Sequence, residues 1–230
     1  MSLRNQKAAE AQPRSVRMCL AAMMLLAGAA TAFGADHAAP AAGKATDYAA
    51  TDSHPGENVV IAAEPFETPD KAKFFRVDYL KYGFLPIRVI ITNNGDQAVN
   101  LTDARIQFLS AAGDRIPAAL TEEVGRVVDK PSNPASPGVK LPFPVPNIHG
   151  RSNDKDKQIN DDFNMLGFQA LAVEPHTTQS GFLFYDVNGL DKPVLKGAQL
   201  YVKRLHGSGG KDLFDFAIPF NKFLAAPAHK

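Results

Sequence analysis

Hydrophobic and polar residues alternate most regularly between Phe84 and Gly95, in the run Phe-Leu-Pro-Ile-Arg-Val-Ile-Ile-Thr-Asn-Asn-Gly. Leu85, Ile87, Val89 and Ile91 share one face and Arg88 and Thr92 the other. That period predicts a core strand of an antiparallel sheet. Asn93-Asn94-Gly95-Asp96 follows it, and Asn and Gly tolerate positive φ, so a tight turn is expected there.

The same reading places further strands at Asn58–Ala63, Ala98–Leu101, Arg105–Leu109 and Ser180–Tyr185. A short strand or edge segment is expected where Phe75, Val77 and Tyr79 alternate. Gln199–Lys203 and Asp212–Ile218, joined by Gly207-Ser-Gly-Gly210, read as a hairpin. Ile106 and Phe108 should point inward, with Arg105 and Gln107 outward. Two helices interrupt the strands. Thr121-Glu-Glu-Val suits a helix start with Thr as cap and acidic residues at the positive end of the dipole. Ile159, Phe163, Leu166 and Ala170 recur at helical spacing within 153–172. Between them, Lys130–Gly150 holds six of the chain's 17 prolines and can be neither helix nor central strand. The expected fold is mainly β: an antiparallel β-sandwich over 58–224 with an inserted Pro-rich loop and helix spanning 121–173.

Composition adds a compartment. The charge is +1 over 230 residues. Residues 1–34 carry Arg4, Lys7, Arg14 and Arg17 against Glu10, a local +3, which leaves −2 for the remainder. Met18–Ala32 is apolar and ends in small residues, so 1–34 reads as a cleavable secretory signal. Cys19, the one cysteine, lies inside it, and a mature chain without thiols points to a bacterial envelope, periplasmic or secreted. Residues 35–57, rich in Ala, Pro, Gly, Ser and Thr, read as a flexible lead-in, and 225–230 as a tail. A near-neutral chain lacks the broad basic surface that nucleic-acid binding needs.

The runs Leu-Pro-Ile-Arg-Val-Ile-Ile-Thr-Asn-Asn-Gly-Asp, Ala-Arg-Ile-Gln-Phe-Leu and Pro-His-Thr-Thr-Gln-Ser-Gly-Phe-Leu-Phe-Tyr resemble secreted bacterial immunoglobulin-like domains. The resemblance covers about 58–220 and implies a fold, with no catalytic residues attached.

Candidate chemistry is sparse. The six histidines (His37, His54, His149, His176, His206, His229) show no ligand spacing for zinc. Cleavage after Gly34 would give a mature Ala35-Asp36-His37 terminus, a square-planar Cu(II) or Ni(II) chelate. Asp154–Asp162 has oxygen side chains at alternate positions, as in a calcium loop. Ile159 and Met165 replace the required Gly and Glu, so an acidic, solvated helix start is expected. His206-Gly-Ser-Gly-Gly210 lacks both nucleophile-elbow and phosphate-loop spacing. No cofactor and no catalytic residue is expected, and a non-enzymatic module follows. Phe74, Phe75, Tyr79, Tyr82 and Phe84 suit a glycan or peptide platform, or more simply core filling. The expected partner is another envelope protein or a surface glycan. The Pro-rich stretch, with Phe143, Val145 and Ile148, is the expected recognition element. The alternative is a periplasmic metal-binding protein using His37 or a histidine cluster.

Overall fold

A computed structural model describes residues 37–54, 56–128, 154–207 and 209–226. The signal-like segment therefore lies outside the described residues. In chain order the strands are β1 (Thr51–His54), β2 (Val59–Pro65), β3 (Phe84–Asn93), β4 (Val99–Asn100), β5 (Arg105–Leu109), β6 (Arg115–Pro117), β7 (Ala172–Val173), β8 (Thr178–Asp186), β9 (Gln199–Lys203), β10 (His206–Gly207) and β11 (Phe216–Pro219). The helices are α1 (Pro69–Ala72), α2 (Thr121–Val128), α3 (Asp154–Leu166) and α4 (Asn221–Ala225). The protein is mainly β. One four-stranded sheet runs β1-β2-β3-β8, a second runs β11-β9-β5-β6, and β10-β4-β7 form a small third. The ladders between named strands are antiparallel.

The first two sheets share one core. Leu85, Ile87, Val89 and Ile91 of β3 join Val59, Ile61 and Ala63 of β2. Against them stand Phe108, Leu200, Val202, Phe216 and Ile218 of the second sheet. Ile106 and Phe108 point inward as their alternation predicts.

The opposite face of β3 is buried as well: all ten of its residues are inaccessible. Phe84 enters an aromatic cluster with Phe66, Phe74, Phe75, Tyr79, Phe182 and Phe184, covered by Val124 and Val128 of α2 and Ile159 of α3. Ile90 packs on Ala45 and Ala62. Two polar residues on this face are buried with partners. Thr92 Oγ1 accepts from the Ala45 N–H at 2.9 Å. The Arg88 guanidinium bonds Glu64, with Nε at 2.9 Å from Oε2, and the Pro40 carbonyl, among the rings of Tyr48, Phe66 and Phe182.

These contacts correct the expectation for 35–57. From His37 onward the segment is an ordered strap across the outer face of the first sheet, ending in β1, which pairs with β2. Its small, polar composition reads as a linker, but Ala39, Ala45 and Tyr48 pack because the sheet offers them an apolar face.

Three local expectations also change. The Phe75–Tyr79 alternation gives no strand. A 3-10 turn over Tyr79–Tyr82 closes on Gly83, at φ +80°, and launches β3. The turn after β3 uses no positive φ. Asn93 Oδ1 accepts from the Gly95 N–H at 2.9 Å, and Asn93 Nδ2 donates to the Gln97 and Val173 carbonyls, so one amide side chain shapes the turn. The last hairpin is β9–β11, which starts at Phe216 and leaves Phe214 74% exposed.

Replacing Ile87, which is fully buried at the centre of the shared core, by Ala should lower unfolding free energy by about 2–5 kcal/mol in urea denaturation. A loss under about 1 kcal/mol would mean that the two sheets do not pack there.

Candidate functional site

The histidines are dispersed. His37 is exposed, and its Nδ1 lies 3.0 Å from the Phe74 carbonyl. A third-position histidine chelates through this nitrogen, so copper or nickel at that terminus would have to displace the contact. His54 lies between Glu57 (Nδ1–Oε2 3.1 Å) and Asp52 (Nε2–Oδ2 3.8 Å) and stacks on Phe216 at 4.2 Å. Both carboxylates also accept from the opposite sheet edge: Glu57 from the Phe214 N–H and Asp52 from the Ala217 N–H, each at 2.8 Å. The trio therefore seals β1 against β11. His206 has the same arrangement, with Asp212 at 2.6 Å and Asp103 at 3.8 Å. In both cases the two carboxylates sit on opposite ring nitrogens and cannot converge on one ion. His176 pairs with Asp96. Among the described residues no three His, Cys, Asp or Glu side chains are arranged to hold a metal. His149, His229, Phe143, Val145 and Ile148 lie outside the described residues.

The aromatic set is core: Phe74, Phe75, Tyr79 and Phe84 are buried in ring-to-ring contacts. The acidic start of α3 is not wholly solvated, because Asp162 is fully buried. Its Oδ2 accepts from the Arg76 N–H at 2.9 Å and the Tyr79 hydroxyl at 3.0 Å, and its Oδ1 from Arg76 Nη1 at 3.0 Å. Helical spacing puts Asp162 on the same face as Ile159, a signal the sequence held. The charge argued for solvent, and only the fold supplies Arg76 and Tyr79 from 83 or more positions away. The four donor–acceptor contacts of Arg76 and Asp162 clamp α3 onto the aromatic cluster. Three of them satisfy both carboxylate oxygens, and the fully buried side chain is out of reach of a substrate in solvent.

The described residues also form surface clefts. One of about 570 Å³ lies between the β5–β6 turn and the loop 189–197, and one of about 440 Å³ lies between α2 and β6. The third, of about 410 Å³, opens between β5 and β8. Ala104, Ile106, Phe168, Ala170 and Leu183 form half-buried apolar walls over buried Leu101, with exposed Arg105 at the rim. Gly181 permits this geometry. A Cβ there would stand 2.5 Å from the Phe168 backbone, so glycine lets 167–168 lie against β8, where the Phe168 N–H donates to the Phe182 carbonyl at 3.0 Å. That places the Phe168 side chain at the cleft.

Gln107 also lines the cleft, and its Oε1 is buried with no hydrogen-bond partner, the one such side-chain atom among the described residues. A buried acceptor left unsatisfied costs about 1–3 kcal/mol. Beside an apolar cleft, that cost is recovered by a ligand bringing a donor. Sequence reading placed Gln107 on the polar face of β5 and attached no role to it, because its missing partner is a property of the tertiary surroundings.

No helix among the described residues is long and apolar enough to cross a membrane. Compared with family models, curated proteins and solved structures, the chain finds no match.

Gln107→Leu should be neutral or raise stability by about 1 kcal/mol in urea unfolding, because it removes the unsatisfied oxygen. A loss of more than about 2 kcal/mol would show that the amide is needed by the fold. Alkali should act in the opposite direction. Burial pushes Tyr79 and Tyr185 far above the usual tyrosine value, for Tyr79 with the added field of Asp162. A raised folded-state pKa stabilises below the unfolded value, near 10, and the contribution is lost as pH rises beyond it. Stability should therefore fall above pH 10 by about 1.4 kcal/mol per pH unit for each tyrosine. Tyr79→Phe should halve that slope in pH-dependent denaturation.

Proposed function

We propose that this chain is an exported, non-enzymatic binding module. In this reading residues 1–34 direct export, and the mature part is an immunoglobulin-like β-sandwich that holds another cell-envelope component. The signal-like composition of 1–34, the lack of cysteine after Cys19 and the core shared by two antiparallel sheets support it. The observation that carries the binding role is the apolar β5–β8 cleft with the unpartnered Gln107 acceptor. Such a site takes a short apolar group bearing an N–H or O–H, held by burial and one hydrogen bond. The Pro-rich stretch 130–150, expected from sequence to carry recognition, lies outside the described residues. Its flanking helices α2 and α3 pack on each other near Gly125 and Asp156 and on the outer face of the first sheet.

Ala104→Trp fills the cleft from its half-buried wall. Immobilised protein should capture a component from envelope extract, and Ala104→Trp should lose that component while its melting temperature stays within a few degrees. Capture unchanged by Ala104→Trp, but lost on deletion of 130–150, would move recognition from the cleft to that stretch.

A further inference from the structure

The outer face of the second sheet carries a charge pattern that folding alone does not favour. Register puts Arg105 directly opposite Lys203, and Gln107 between Pro117 and Tyr201. Arg115 pairs with Leu109, which pairs with Gln199. All of these point away from the core, since the alternate residues Ile106, Phe108, Ile116, Leu200 and Val202 point into it. Arg105 and Lys203 are like charges in direct cross-strand opposition, an arrangement that destabilises a sheet.

Two of the three cations flank one ring. Arg115 Cζ lies 5.3 Å and Lys203 Nζ 5.8 Å from the Tyr201 centroid. Among the described residues, none of Arg105, Arg115 and Lys203 forms an ion pair. One carboxylate lies on this face: Asp215 accepts from the Tyr201 hydroxyl. Asp114 accepts from Ser110 Oγ at 2.8 Å, and Asp103 and Asp212 face His206. The face therefore presents an excess of positive charge on β6, β5 and β9, with the outer two strands about 10 Å apart at two strand spacings.

We propose that this face binds an acidic polysaccharide, its carboxylates on Arg105, Arg115 and Lys203 and its hydroxyls on the Gln107 and Gln199 amides. The span across three strands calls for repeated anions. The amides both donate and accept, as hydroxyls do, whereas phosphate and sulfate groups only accept. An acidic peptide gains nothing from the sheet here, because it would lie on side chains rather than along a free edge. Tyr201, with cations already over its ring, acts as a positioning residue that spreads them apart. The site adjoins the β5–β8 cleft, which Arg105 and Gln107 also line, while Arg115, Tyr201 and Lys203 lie outside it.

Calorimetric titration of the purified protein with polygalacturonate, neutral dextran, poly-L-glutamate and phosphatidylglycerol vesicles tests the assignment. Polygalacturonate should bind, more weakly as salt rises, and dextran should not. Lys203→Gln and Arg115→Gln should each weaken binding about tenfold. Lys203→Gln should leave the melting temperature unchanged or raised, because it removes the like-charge opposition, so lost binding is not lost folding. Arg115→Gln and Lys203→Gln, which lie outside the cleft, should leave capture of the envelope component unchanged, so failure of this assignment and failure of the cleft reading are distinguishable. Absence of polygalacturonate binding, or binding by both variants as tight as the parent's, overturns the proposal. Tighter binding to poly-L-glutamate or to vesicles also overturns it and assigns the face to that partner class.

Discussion

The buried guanidinium of Arg88 is the constraint on which the outer layer depends. β3 is covered on both faces, and at its middle the outer face carries a positive charge. A charge in an apolar layer is tolerated only when it is paired and hydrogen-bonded. Glu64, directly across the ladder in register, supplies the counter-charge, and the Pro40 carbonyl a further acceptor. Tyr48, Phe66 and Phe182 surround the planar cation with ring faces. The strap that begins at His37 is thus held by a group that would be destabilising without it.

Asp162 plays the complementary part at the other end of the same layer. It is a buried anion satisfied by Arg76 and Tyr79, and it fastens α3 over the aromatic cluster. One buried charge of each sign therefore secures a chain extension to the outer face of the first sheet. With that face closed, the cleft between β5 and β8 and the outer face of the second sheet lie on the other side of the shared core. They differ in chemistry, one largely apolar with a lone acceptor and the other polar and cationic, and they adjoin at Arg105 and Gln107.

Much of the strand content was legible before the fold was seen. The period-two runs at β2, β3, β5, β8 and β9 match observed strands, because alternation reports a pleated strand with one face in a core. What misled was polarity taken for exposure. Arg88 and Asp162 look solvent-facing, and each is buried through a partner distant in sequence. The strap looked like a linker because alanine and proline carry little hydrophobic signal of their own. Of the candidate residues, His37 has its Nδ1 on the Phe74 carbonyl, while residues 35 and 36, which would complete its chelate, and Phe143, Val145 and Ile148 lie outside the described residues. Gln107 drew no notice, since an unsatisfied oxygen cannot be seen until all its potential donors are placed.

The sequence by itself determined the β character, the core-facing residues of β3 and β5 and the position of the helical insertion. These follow from local spacing, which the backbone enforces within a few residues. The tertiary structure alone decided that β3 has two buried faces, that the strap is ordered and that Gln107 lacks a partner. It alone brought Arg105 to face Lys203. Each of these depends on pairing between residues tens of positions apart, where charge, register and burial are set by the neighbour rather than by the residue itself.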